Sequence, residues 1–156
     1  MDDDRRDGLD AILGWNAVKV ARLIGTQITN ALAEQDLSLV QFGVLSTLAS
    51  SGGQLTTAEI ARAVFVRPQT MAEVLDGMER RDLVRRVGTR VRGRRNPVAI
   101  TEAGTTAFDT AYAIAVRTND LSAFGVTRAE SEQLNGLLIA VVDGSPDATD
   151  QAAPAE

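Results

Sequence analysis

The chain has 156 residues, 44% of them apolar and 24% charged, with a formal net charge of −5. These values suit one compact core with helical extensions and exclude a wholly disordered chain. It contains no cysteine and no histidine, which removes disulfides, thiol redox sensing, Cys- or His-based metal sites, Ser-His-Asp triads and imidazole bases.

No calcium-loop pattern of Asp, Asn and Gly is present, so neither a metal nor a cofactor is expected. The opening Met1-Asp2-Asp3-Asp4-Arg5-Arg6 is not followed by an apolar core, as a signal peptide would be. No apolar run approaches the ~18 residues of a membrane span. The expectation is a cytoplasmic protein with no membrane partner.

Residues 1–8 are acidic and polar and read as a flexible terminus. From Leu9 to about Glu34 the apolar residues Ile12, Trp15, Val18, Ala21, Ile24, Ile28 and Leu32 recur at three- and four-residue steps, the signature of an amphipathic helix. The stripe is longer than a small core needs, which points to packing against other long helices, including those of a second chain. Ser38 with Gln41 has capping-box spacing and opens a second helix. Its apolar faces are Val40, Phe42, Val44, Leu45, Leu48 and Ala49, and Ser50-Ser51-Gly52-Gly53 closes it. Thr56 with Glu59 caps a short third helix ending near Val64.

After Val64-Phe65-Val66-Arg67, Pro68 suits the first turn of a fourth helix, where its missing N–H is harmless. Met71, Val74, Leu75 and Met78 define its buried stripe. Its opposite face carries Gln69, Thr70, Glu73, Asp76 and Arg80, and Leu83 plugs the core beyond it. Residues 83–87 and 97–101 read as two strands of a hairpin with an arginine-rich tip. Thr101-Glu102-Ala103-Gly104 opens a fifth helix, expected to run to about Phe124 with Phe108, Ala111, Tyr112, Ile114 and Ala115 on its core face. Thr127 with Glu130 caps a sixth, marked by Leu134, Leu137, Leu138 and Val141. The stretch 144–156, small and polar with two prolines, reads as a disordered tail.

The net charge hides an asymmetry. Between Arg62 and Arg95 ten arginines face four acids, a local charge of +6, while the rest of the chain carries six basic and seventeen acidic residues. Such a block is the electrostatic footprint of a polyanion site. It coincides with the order short helix, turn, helix, basic hairpin, which is the pattern of a winged helix-turn-helix. The predicted fold is therefore mainly α with a small β-hairpin wing. Residues 38–101 form the DNA-binding lobe, and 9–37 with 102–143 form dimerisation helices.

The segments Leu55-Thr56-Thr57-Ala58-Glu59-Ile60-Ala61, Arg67-Pro68-Gln69-Thr70-Met71, Val74 to Val84, and Arg94-Arg95 ahead of Ala99-Ile100-Thr101-Glu102-Ala103-Gly104 resemble the MarR family of bacterial transcription factors. The resemblance spans roughly residues 38–105. It implies an obligate homodimer that presents one reader helix and one wing per subunit to a palindromic site on double-stranded DNA. Such a protein is typically a repressor released by a small-molecule effector.

On that reading Gln69 and Thr70 meet base edges, Gln being suited to adenine and Thr to a thymine methyl. Arg67 reaches a phosphate or a guanine. Glu73 either accepts from a cytosine amino group or orients a nearby arginine. Thr56 either caps its helix alone or caps it and also touches a phosphate. Arg92, Arg94 and Arg95 are the wing's candidates for the minor groove and the backbone. The family's wing carries an acid one or two residues before its key arginine; if that arginine is Arg94, those positions here hold Arg92 and Gly93. Arg85 and Arg86 alternate across a strand, so only one of them faces DNA, and Arg80 and Arg81 are expected on neighbouring acids or in solvent.

Trp15, Phe42, Phe108 and Tyr112 are candidate liners of a pocket for a small aromatic effector, with ordinary core packing as the alternative. An enzyme is disfavoured: winged helices attached to methyltransferases come with a large cofactor domain and a glycine-rich loop, and this chain has neither. The remaining rival is a winged-helix dimer acting through protein–protein contacts without effector control, against which the charge density of the wing argues.

Overall fold

The computed structural model describes residues 8–88 and 96–145. In chain order the elements are α1 (Leu13–Ala33), α2 (Leu39–Ser51), α3 (Thr57–Ala63), α4 (Pro68–Arg80), β1 (Val84–Arg86), β2 (Val98–Ile100), α5 (Glu102–Thr118), a single 3₁₀ turn (Ser122–Phe124) and α6 (Arg128–Asp143). Three helices start on reciprocal capping boxes: Ser38 with Gln41, Thr56 with Glu59, and Thr127 with Glu130. Each satisfies two backbone N–H groups that a helix start leaves without partners. The fourth start is different. Arg67 occupies the N-cap of α4 without a side-chain cap, and Pro68 follows at the first helical position.

The core is built from α2, α3, α4 and the hairpin. Val44, Leu45, Leu48, Ile60, Ala61, Met71, Leu75, Met78, Val84 and Val98 are all buried in it, joined by Leu32 from the end of α1 and Ala111 from α5. On α4 the expected stripe holds: Met71, Leu75 and Met78 are buried and Val74 packs against them. On α2, Ala49 is exposed rather than packed, although its neighbour Leu48 is buried in the core.

The hairpin is antiparallel, pairing Val84 with Ile100, Arg85 with Ala99 and Arg86 with Val98. Each strand is only three residues long. The hairpin is therefore pinned from outside: Leu55 and Val98 exchange both backbone hydrogen bonds (3.0 and 2.7 Å), which ties β2 to the residue just before the Thr56 cap. Gly104 seats α5 against the base of the same hairpin. A Cβ there would run into the carbonyl oxygen of Leu83 and come within 2.9 Å of Ile100 Cγ1.

Two helix boundaries differ from the sequence expectation. The expected first helix is broken at Ala11 and Ile12: residues 8–10 form a separate helical turn, and the long helix starts at Leu13. Ile12 is extended, and Asp10 stands ahead of the helix, its carbonyl accepting from Asn16 Nδ2 (2.7 Å) and its carboxylate from Lys19 Nζ (2.9 Å). The fifth helix ends at Thr118, not near Phe124. Asn119 is its C-cap, and the Asp120 side chain accepts from the Ser122 N–H (2.9 Å), turning the chain into the separate 3₁₀ segment. Asn and Asp compete with helix by such local bonds. Of the expected loose ends 1–8 and 144–156, only Gly8, in a short helical turn, and residues 144–145, at the close of α6, are among the described residues.

The outer helices contrast with the core. α6 buries none of its residues: Leu137 is 60% and Val141 70% exposed, and Leu134, Leu138, Ile139 and Val142 are open as well. On α1 only Leu32 is fully buried, Ile24 and Ile28 are half-buried, and Leu13, Trp15, Val18, Val20 and Leu23 are exposed. Among the described residues no helix is long and apolar enough to cross a membrane.

Candidate nucleic-acid interface

α3 and α4 are joined by a turn that sets the second helix across the first. Val64 and Val66 pack against the core, while Phe65 between them takes a left-handed conformation (φ +56°) and stays 54% exposed. The turn is closed by the Phe65 N–H donating to the Arg62 carbonyl (3.2 Å) and the Val66 N–H to the Ala61 carbonyl (2.9 Å). The burial of Met71, Leu75 and Met78 then fixes the rotation of α4 about its axis. By helical periodicity the other side of its first two turns faces outward.

That outward side carries Arg67, Gln69, Thr70 and Glu73, all exposed. None of these four side chains makes a hydrogen bond or ion pair among the described residues. Glu73 in particular holds no arginine there, so its two oxygens remain open as acceptors. Thr56 lies at the start of the supporting helix and is engaged in its cap. Its hydroxyl donates to Glu59 Oε2 (2.7 Å) and accepts from the Glu59 N–H (3.3 Å). The same carboxylate also accepts from the Thr56 N–H (2.7 Å). Hydrogen bonds to the charged form favour it, and with Arg62 nearby they hold the Glu59 carboxyl below the usual glutamate range.

The arginines of the basic block divide into three groups. Arg86 is turned back onto α4: its Nη2 meets Asp76 Oδ1 at 2.6 Å and its Nη1 meets Glu79 Oε2 at 2.7 Å. This pairing, with Asp76 first, pushes its already high pKa higher still. Arg81, expected on a nearby acid or in solvent, instead reaches across the fold. Its Nη1 donates to the Asp36 carbonyl (2.7 Å) and touches Gln41 Oε1 (3.5 Å), tying the end of α4 to the α1–α2 turn. Arg85 points the opposite way from Arg86 and is exposed. Arg92, Arg94 and Arg95, the wing candidates, lie outside the described residues, as does Gly93.

Three of the four aromatic candidates come together. The rings of Phe42 and Phe108 stack at 5.9 Å and those of Phe108 and Tyr112 meet at 5.8 Å, forming a ladder from α2 along α5 with Tyr112 56% exposed at its end. Trp15 makes no ring contact with them. A groove of roughly 360 Å³ lies elsewhere, at the α5–α6 junction, lined by Asn119, Asp120, Ser122, Arg128 and Asn135 among others; none of the four aromatics lines it. No group of three or more acids among the described residues is arranged to hold a metal ion.

A supporting helix, a reader helix with an open polar face and a pinned two-strand hairpin define a winged helix-turn-helix protein. Comparison with known proteins narrows this. A family model described as the MarR family matches residues 35–95. The HTH-type transcriptional repressor Rv2887 of Mycobacterium tuberculosis is 35% identical over 95 residues, covering 61% of this chain and 68% of the relative. The crystal structure of that organism's MarR family protein Rv2887 in complex with DNA superposes with a TM-score of 0.71 at 26% identity, covering 86% of this chain and 99% of the other. The same protein in complex with salicylic acid gives 0.68 at 27% identity, covering 84% and 96%. The chain belongs to the MarR family of winged helix-turn-helix transcriptional regulators.

Proposed function

We propose that this regulator is a homodimeric repressor that binds a palindromic operator and is released by a small aromatic effector. The observation that carries the DNA reading is the open side of α4, where Arg67, Gln69, Thr70 and Glu73 are all exposed without an internal partner. A helix entering the major groove contacts bases with its first turns. Gln69 is suited to adenine, Thr70 to a base edge or thymine methyl, and Glu73, left without an arginine, to a cytosine amino group. Arg67 serves a phosphate or a guanine. Arg92, Arg94 and Arg95 are assigned to the minor groove and the backbone. Thr56 acts first as a cap, with any phosphate contact secondary.

The homodimer reading rests on α1 and α6, whose apolar faces are open in a single chain (Leu13 82%, Val141 70% exposed). Apolar surface on this scale marks an interaction site, and a two-fold partner would bring two reader helices to half-sites about one helical turn apart. Dimerisation helices at 9–37 and 102–143 follow from it. The effector reading rests on the aromatic ladder Phe42–Phe108–Tyr112 and on the relative crystallised with salicylic acid. Trp15, placed on α1, joins that site only if the partner subunit completes it.

The test is selection of a duplex from a random-sequence library, followed by fluorescence anisotropy. Nanomolar binding to a palindrome is expected, with a log–log salt slope near −5 if each subunit uses roughly three arginines. Arg94→Ala should then cost about 1–3 kcal/mol. No binding to any duplex at low salt would favour the protein-contact dimer. Salicylate should weaken binding to the selected duplex; unchanged affinity at millimolar salicylate would remove the effector from the reading.

A further inference from the structure

The hairpin is held at one cross-section from both sides. On β2, Val98 is locked to Leu55 by two backbone hydrogen bonds. Directly opposite on β1 stands Arg86, which is locked to α4 by three bonds. Its guanidinium holds Asp76 (2.6 Å) and Glu79 (2.7 Å), and its backbone N–H donates to the other Glu79 oxygen (3.1 Å). Strand alternation explains how it gets there. Val84 on the same face is buried in the core, and Arg86, two residues on, continues that face past the core's edge, where one flank of α4 offers two acids a single turn apart.

Beyond this level the described residues 87, 88, 96 and 97 are held by bonds within the hairpin. The Val87 N–H donates to the Pro97 carbonyl (2.8 Å) and Asn96 Nδ2 to the Gly88 carbonyl (2.8 Å). The next residues are the arginine-rich stretch 89–95. Two three-residue strands are too short to keep a direction by themselves. The orientation of the described part of the hairpin, residues 84–88 and 96–100, is therefore set at Arg86 and Val98.

We infer that Arg86, Asp76 and Glu79 form a clasp that aims the wing relative to the reader helix, making Arg86 a positioning residue for DNA binding and not a DNA contact. The inference rests on the DNA-binding reading above. The clasp has little to do with global stability: its three side chains keep between 34% and 53% of their exposure, and ion pairs that open to water contribute little. Its effect falls on geometry, because reader helix and wing must fit the major groove and the neighbouring minor groove together.

The acids supply a test in which charge and geometry predict opposite signs. Asp76→Asn with Glu79→Gln makes the lobe more positive, so electrostatics alone tightens DNA binding, and more so if Arg86 is thereby freed to meet a phosphate. The clasp predicts the reverse: affinity for the selected duplex falls roughly tenfold, a size usual for coupling between two parts of a protein. The salt slope flattens as wing contacts are lost, and the thermal midpoint changes little. Equal or tighter binding by the double variant overturns the inference.

Should the double variant fail to fold, Arg86→Lys decides. A phosphate contact is kept by lysine and predicts wild-type affinity; the clasp predicts loss, because one ammonium does not span both acids and keep the fork geometry. A wild-type protein that binds no duplex would overturn the functional reading itself, so the two failures are distinguishable.

Discussion

The reading lobe and the outer helices are built from the same kind of apolar residue and treat it in opposite ways. In the lobe, Leu45, Leu48, Ile60, Met71, Leu75 and Met78 are all fully buried within one chain. On α6, Leu137, Leu138, Ile139, Val141 and Val142 are each about half exposed or more. Both stretches have helical apolar periodicity, so periodicity alone does not say which partner buries the stripe. In the lobe, short loops bring α2, α3, α4 and the hairpin around one another, and burial is complete. At the ends, α1 and α6 leave most of their apolar residues open in a single chain. On the proposed dimer, the difference separates stability that belongs to one chain from stability that depends on association.

Concentration dependence is the way to break this comparison. Leu75→Ala empties a site that is 1% exposed, and should cost about 2–5 kcal/mol, the range for a core Leu truncation that leaves a cavity. Urea unfolding monitored by circular dichroism checks it, and the loss should be the same at low and high protein concentration. Gly104→Ala comes next. In an ordinary helix interior this change gains up to about 1 kcal/mol. Here the new Cβ meets the Leu83 carbonyl, a rigid backbone atom, so a loss of about 1–3 kcal/mol is expected from overpacking. A stabilised Gly104→Ala protein would show that α5 does not sit on the hairpin as described.

Leu137→Ala on α6 is expected to cost about 2 kcal/mol per subunit if a partner covers it, and almost nothing if none does. Its signature is a thermal midpoint that falls steeply on dilution, by mass action, with sedimentation showing a shift toward monomer. A concentration-independent midpoint would remove α6 from the dimer.

How far the sequence led depends on the range of the interaction involved. The capping boxes at Ser38, Thr56 and Thr127 were legible because the partners lie three residues apart, and the buried side of α4 because its period is local. Gln69, Thr70 and Glu73 followed from that rotation. The end of α5 was misplaced because Leu121 and Phe124 extend the apolar pattern past Thr118; the signal against it was local too, in Asn119, Asp120 and Ser122. The roles of Arg81 and Arg86 were not legible. Arg81 bonds a carbonyl 45 residues away, and Arg86 bonds acids 7 and 10 residues back across a turn. The sequence places Arg81 on a neighbouring acid or in solvent and leaves open which of Arg85 and Arg86 turns away, but it names neither partner. The packed fold shows what each one holds, while Arg67, Arg80 and Arg85 are exposed.

The smallest effect is in the acid limb of stability, and it too separates the two regions. Glu59 in the lobe and Glu130 on α6 have the same cap: each carboxylate accepts from the backbone and hydroxyl of the preceding threonine. Both are thereby held below the ordinary glutamate value of 4.5. A carboxyl depressed in the folded state adds stability that is fully present above its unfolded pKa, and the stability is lost as pH falls through the folded one. Each cap therefore supports the fold at neutral pH and fades below about 4.5, so stability should drop as the protein is acidified. Glu59→Gln and Glu130→Gln keep a cap acceptor but remove the titration, so each should flatten that drop. For Glu59 the flattening should be independent of protein concentration, because α3 is packed inside one chain. For Glu130 it should weaken on dilution, because in the proposed dimer α6 contributes to stability only through its partner. Identical behaviour of the two variants across concentration would mean that α6 is stabilised within its own chain, and the distinction between the two regions would fail.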